Sequence, residues 1–360
     1  MKTPPRLDEA PLALTPRRIH EQLSRHVVGQ ERAKRALAIA AYNHLKRTGL
    51  RRARRVPPLV RKSNVLLVGP TGCGKTHLAR TLARILDVPF HVADATEFTE
   101  AGYYGKDVEV MIAELLQKAG HVVEEAQRGV VFIDEVDKIA RRAAGQRAGV
   151  AARDIGGEGV QQALLKLLEG REVIVPVSPA QHWQQRHESV PVDTTDILFV
   201  CAGTFTDLWA YSADARGLGF GARDRARRST RRVRQRDLVE YGMLAEFLGR
   251  LPVVVELDDL AEDELLEVLT APPDAVVREV KELLATDGVE LTFTEGALRE
   301  IVRYAMERGA GARGLRAIVE EVVSDLLFEA PERAGTRATV DSGFVRRRAE
   351  RLDPAVFAGP

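Results

Sequence analysis

Eight consecutive residues, Gly69-Pro70-Thr71-Gly72-Cys73-Gly74-Lys75-Thr76, satisfy every fixed position of the pattern G-x-x-x-x-G-K-[ST] and constrain the fold more than any other segment. The pattern functions only between a buried strand and the start of a helix. Both flanks are present: Val65-Leu66-Leu67-Val68 is an apolar run of strand length. Thr76 to Leu86 carries Leu78, Leu82, Ile85 and Leu86 at helical spacing. Glycines at 69, 72 and 74 let backbone N–H groups turn inward around phosphate oxygens, and the following helix adds its positive N-terminal end. Lys75 is then expected to neutralise the outer phosphates of a nucleoside triphosphate and Thr76 to bind Mg²⁺, with His77 next in line. Cys73 admits two readings, a thiol acidified by the helix N-terminus or a small residue tolerated in the loop.

A chain of 360 residues has room for two cores, and 45% hydrophobic content supplies them. The 53 basic and 52 acidic residues nearly cancel, so no global charge demands nucleic acid or an anionic membrane. The two cysteines, Cys73 and Cys201, suggest neither a disulfide framework nor a zinc cluster, which fits a reducing cytoplasm. No window approaches the ~20 apolar residues of a membrane span, and residues 1–14 read as a flexible tail without an apolar leader.

From Asn64 to Val255 short apolar runs alternate with helical patterns, the signature of a mostly parallel sheet covered by helices. The expected strands are Val65 to Val68, Phe90 to Ala93, Val130 to Ile133, Ile197 to Cys201 and Val253 to Glu256. Past Leu257 the pattern becomes helical, over 261–269, 273–285, 295–308 and 312–328, with a strand at Val289 to Phe293 and a partner for it at Ala338 to Val340. Domains are therefore expected at 15–256 and 257–345, followed by a tail from 346 to 360. Pro176 to Val192 and Ala222 to Asp237 read as loops, the latter with eight arginines against Asp224 and Asp237.

Val130-Val131-Phe132-Ile133-Asp134-Glu135 is an apolar strand ending in two carboxylates. In a triphosphate site Asp134 would hold Mg²⁺ and Glu135 would act as general base on the attacking water. A plain binding scaffold needs only the first. Thr204, just past the strand ending at Cys201, is placed either to sense the γ-phosphate or to make a turn. Arg250 and Arg313 are candidate cations for the same site, though in so arginine-rich a chain either could be a surface charge.

These segments, together with His26-Val27-Val28-Gly29-Gln30, Ala93-Asp94-Ala95-Thr96, Gly156 to Lys166 and Gly311-Ala312-Arg313-Gly314-Leu315-Arg316, carry a resemblance. Over about Thr15 to Asp341 the chain resembles the ClpX family of AAA+ ATPases, the unfolding subunits of bacterial Clp proteases. The resemblance implies an α/β P-loop NTPase large domain, a parallel sheet covered by helices, with a small, mainly helical C-terminal domain. It implies that Val28 lies against adenine, that Arg250 is a finger reaching a neighbour's ATP, and that Arg313 senses nucleotide from the small domain. A ring, normally a homo-hexamer, follows from a finger acting in trans.

By the same resemblance Tyr103, with Tyr104 beside it in Gly102-Tyr103-Tyr104-Gly105, grips polypeptide in the pore, and Arg153 belongs to a second pore loop. Leu218-Gly219-Phe220 corresponds to the tripeptide that docks the ring on a ClpP-like peptidase. Unfolded or tagged proteins are the implied substrates. Three departures stand out: the family's N-terminal zinc-binding domain is missing, Tyr104 replaces a small aliphatic residue, and Ala180-Gln181-His182 replaces a basic entrance motif. They leave a stand-alone remodelling chaperone as the alternative to a protease subunit, and the arginine run leaves a nucleic-acid motor as a third reading.

Overall fold

The computed structural model describes residues 14–52, 62–99, 106–141, 157–176, 189–206, 208 and 232–349. Helices α1 (Pro16–His26) and α2 (Glu31–Arg52) precede strand β1 (Val65–Val68), and α3 (Lys75–Leu86) follows it. Then come β2 (Phe90–Asp94), α4 (Val110–Lys118), α5 (Val123–Ala126), β3 (Val130–Asp134) and α6 (Gly157–Glu169). Strands β4 (Glu172–Pro176), β5 (Ser189–Asp193) and β6 (Leu198–Gly203) lead to α7 (Gln235–Tyr241), α8 (Ala245–Gly249) and β7 (Val253–Glu256). The C-terminal part comprises α9 (Glu262–Thr270), α10 (Val276–Thr286), β8 (Glu290–Phe293), α11 (Glu295–Glu307), α12 (Gly311–Glu329), β9 (Arg337–Val340) and α13 (Ser342–Ala349).

Five parallel strands form the main sheet in the order β2-β3-β6-β1-β7. Alternate residues of each strand point to opposite faces, and in the central strands β3, β6 and β1 both faces are buried. Leu66, Val68, Val131, Ile133, Phe199 and Cys201 pack under α4 and α6, with Met111, Leu115 and Leu164. Val65, Leu67, Val130, Phe132, Leu198 and Val200 pack under α1 to α3, with Leu23, Leu37, Leu78 and Leu82. This two-sided burial explains why the strands read as continuous apolar runs.

A separate core holds the C-terminal helices together, through Leu265, Leu284, Ile301, Ile318, Val322 and Val340 among others. The short strands β8 and β9 pair there in parallel, as the apolar pattern suggested. Helix α13 continues that fold past residue 345, with Val345 buried and Arg346 ion-paired to Glu300.

The loop reading of 176–192 is corrected over its last residues. Ser189 to Asp193 form an antiparallel ribbon with β4, with Val192 fully buried. Pro191 hid the strand, because proline lacks the ladder N–H; a two-stranded ribbon leaves free edges where this costs nothing. Within the arginine-rich segment, α7 begins at Gln235, and Asp237 is buried at its first turn, accepting from the Arg234 amide at 2.9 Å.

Candidate functional site

The carboxyl ends of β3, β6 and β1 lie side by side, and the loops leaving them converge, the usual place for a ligand in an open parallel sheet. Gly69 leaves β1 with its amide donating to the Gly203 carbonyl of β6 at 3.2 Å. A Cβ on Gly69 would sit 2.8 Å from the Leu257 carbonyl, and one on Gly72 would sit 2.8 Å from the Ala310 carbonyl. Gly72 and Gly74 also take left-handed φ values, +79° and +95°, that side chains resist. The glycines of the motif are thus needed both for curvature and for close approach to the C-terminal part.

Lys75 is buried, and its Nζ donates to the carbonyls of Gly69 at 2.7 Å and Pro70 at 2.8 Å, which fixes the ammonium at the loop. Thr76 Oγ1 donates to Asp134 Oδ2 at 3.3 Å, so the two expected magnesium ligands adjoin. Two hard oxygens fit Mg²⁺, which usually keeps several waters and takes its remaining contacts from phosphates.

Glu135 follows Asp134 in a left-handed conformation, φ +56°, with its amide donating to Asp134 Oδ1 at 2.9 Å. Partial burial, then the nearby charges of Asp94 and Asp134, raise the Glu135 carboxyl above the ordinary glutamate value. A carboxylate so raised is a stronger base.

Thr204 lines the cleft, but its position depends on a residue that motif reading missed. Asp137 is 5% exposed, and its carboxylate accepts from the Thr204 amide at 3.2 Å, the Thr204 hydroxyl at 2.8 Å and the Phe205 amide at 3.3 Å. The signal available in the sequence was a charged residue between the apolar Val136 and Ile139, in a 3₁₀ turn directly after the paired carboxylates.

The cleft, about 650 Å³, is closed by both parts of the chain. His26, Val27, Val28 and the loop from Thr71 to His77 form one wall. Leu260, Leu269, Asp274, Val276, Ala312, Arg313 and Leu315 form the other. Its size suits a nucleotide, with apolar residues for a base and cations for phosphates. Two contacts hold the walls together: Ala312 N donates to the Gly72 carbonyl at 3.2 Å, and the Gln30 side chain donates from Nε2 to the Asp258 carbonyl at 2.8 Å and accepts at Oε1 from the Asp258 amide at 3.1 Å.

Of the sequence-predicted residues, Val28, Thr71 to His77, Asp134, Glu135, Thr204 and Arg313 meet in this cleft. Arg250 does not. It lies at the end of α8, exposed, with Nε and Nη2 donating to Glu169 Oε1 at 3.0 and 2.6 Å. Arg316, one turn after Arg313, is engaged by Glu279 and Glu320. Tyr103, Tyr104, Arg153, Leu218, Gly219 and Phe220 lie outside the described residues. The acidified-thiol reading of Cys73 is corrected: the side chain is 3% exposed, and its burial raises the thiol pKa more than the nearby Lys75 charge lowers it.

A family model for the AAA domain of the Cdc48 subfamily matches residues 60–254. A second, for the C-terminal D2-small domain of ClpB, matches residues 260–340. The ATP-dependent Clp protease ATP-binding subunit ClpX 2 of Wolinella succinogenes is 43% identical over 338 residues, covering 94% of this chain and 83% of that relative. With a parallel sheet, a phosphate loop and a helical C-terminal part arranged as described, the chain belongs to the AAA+ ATPases and, within them, to the ClpX family.

Proposed function

We propose that the protein is an ATP-driven unfoldase and translocase that works as a homo-hexamer and feeds polypeptide to a ClpP-like peptidase. The observation that carries the reading is that one cleft unites Lys75, Thr76, Asp134 and Glu135 from the sheet with Arg313 from the C-terminal helices. Groups that would sense the γ-phosphate are therefore attached to two separately packed cores. A change from ATP to ADP would alter contacts on both sides and change the angle between them.

In this reading Lys75 and Arg313 neutralise phosphate charge, Thr76 and Asp134 hold Mg²⁺, Val28 packs on the base, and Glu135 takes a proton from the attacking water. Bound Mg²⁺ supplies charge neutralisation at the phosphates. Thr204, fixed by Asp137, marks where the γ-phosphate ends. Arg250, exposed and outside its own chain's cleft, would exchange its Glu169 partner for a neighbouring subunit's ATP. Residues 15–256 then act as the large domain and 257–345 as the small one. Tyr103, Tyr104 and Arg153 are assigned to pore loops, and Leu218-Gly219-Phe220 to peptidase docking.

The test is degradation of a tagged, folded fluorescent reporter with ATP, with and without a ClpP-like peptidase. Loss of fluorescence with no peptidase but no proteolysis with it would favour the stand-alone remodeller. Phe220→Ala is expected to abolish degradation while ATP hydrolysis continues, and degradation surviving that change would remove the docking assignment.

A further inference from the structure

Besides the Ala312–Gly72 and Gln30–Asp258 contacts, a pair of side chains bridges the cleft walls. His26, the last residue of α1, directs Nδ1 at Asp274 Oδ1, 3.3 Å away, in the turn between α9 and α10. Both residues line the cleft. Because a carboxylate only accepts, Nδ1 must carry the hydrogen. The backbone of His26 is held in turn, since its carbonyl accepts from His77 Nε2 at 3.1 Å, and His77 stands on α3 immediately after the phosphate loop.

Arg84, two turns further along α3, approaches the other Asp274 oxygen at 4.0 Å. Partial burial of Asp274 would raise its carboxyl pKa, yet the His26 hydrogen bond, its backbone bond and the His77 charge outweigh that and leave it below the ordinary aspartate value. Asp274 is thus an ionised hook on the C-terminal part, gripped by residues of α1 and α3.

We propose that His26 and Asp274 form a clasp between the cleft walls that sets how long nucleotide stays bound. The proposal rests on the cleft being the nucleotide site. Nucleotide in this cleft would lie between the two walls, so contacts that join them slow its release, and the His26–Asp274 pair acts alongside the Ala312–Gly72 backbone bond and the Gln30–Asp258 contact. With His26 25% and Asp274 42% exposed, the bond is partly screened and suits a contact that opens in every cycle. His26 and Asp274 are positioning residues, acting through the wall they hold.

The test is stopped-flow release of a fluorescent ADP–Mg²⁺ analogue from the full chain. Asp274→Asn and His26→Phe should each speed release roughly two- to fivefold, the lower range for losing one partly exposed hydrogen bond. The double variant should release no faster than the faster single, since both remove one interaction. Asp274→Glu, which keeps the charge, should stay near the wild-type rate, and the gap between wild type and Asp274→Asn should narrow at ~1 M salt. Single variants that release at the wild-type rate, or whose effects multiply in the double, overturn the clasp alone. A wild-type chain that never binds the analogue overturns the nucleotide site and the clasp together.

Discussion

Replacing Asp137 by alanine tests whether the cleft depends on a residue outside the recognisable motifs. Its carboxylate is buried and accepts three hydrogen bonds, two from the backbone amides of Thr204 and Phe205 and one from the Thr204 hydroxyl. Phe205 itself is held at φ +49°, a conformation that a bulky L residue resists and that surrounding contacts must enforce. Hydrogen bonds to a charged acceptor contribute about 1.5–3 kcal/mol each, and water entering the space left by the side chain would restore part of that. Summed over three donors and discounted for rehydration, Asp137→Ala should lose about 3–5 kcal/mol. Urea unfolding at fixed pH measures the loss. Steady-state ATP hydrolysis should fall as well, because Thr204 loses its anchor. Asp137→Asn provides the contrast: it keeps one acceptor but turns a donor toward donors, so it should cost less stability than alanine yet still displace Thr204. A loss below about 1 kcal/mol in the alanine variant would show that the three bonds are not holding this turn.

Glu135→Gln should retain ATP binding and lower turnover about 100-fold or more, the range for removing a general base; ordinary turnover in that variant would exclude Glu135 from the role. Gly72→Ala places a Cβ 2.8 Å from the Ala310 carbonyl at φ +79°, so it should cost about 1–3 kcal/mol and weaken nucleotide binding in a fluorescence titration; unchanged affinity would mean the walls need not meet there. His44 on α2 is 4% exposed, and burial, then the charges of Arg47 and Lys62, lower its pKa to about 3. The folded state therefore rejects a proton that the unfolded chain takes up below about 6.5, so this contribution is complete above 6.5 and falls by about 1.4 kcal/mol per pH unit toward 3. Wild type should lose about 2 kcal/mol more than His44→Phe between pH 7 and pH 5 in urea midpoints, and parallel losses would refute the assignment.

Much of the site was legible before any coordinates, because its phosphate-facing parts are local. The curvature of Gly69 to Thr76, the strand before it and the helix after it involve neighbouring residues, so a linear pattern reports them. The same holds for Asp134 and Glu135 at the end of β3. Asp137 was missed because its partners, Thr204 and Phe205, lie more than sixty positions away and meet it only when β3 and β6 pair. Asp274 was missed for a similar reason: nothing near it in sequence marks it, and it acquires a partner only where its turn meets α1. Cys73 failed in the opposite sense. Its local setting at a helix N-terminus suggested acidification, while packing against the surrounding core supplied a larger, opposing desolvation.

The sequence by itself determined that strand, loop and helix would cradle a triphosphate, and that two carboxylates would follow a buried strand, since short-range sterics and hydrophobic period settle both. Tertiary structure alone decided that β3, β6 and β1 would stand adjacent, that Asp137 would fix Thr204, and that Asp274 would close the cleft from a second core. These contacts join residues far apart in the chain, and only the burial of two sheet faces and a separate helical core brings them within hydrogen-bond reach.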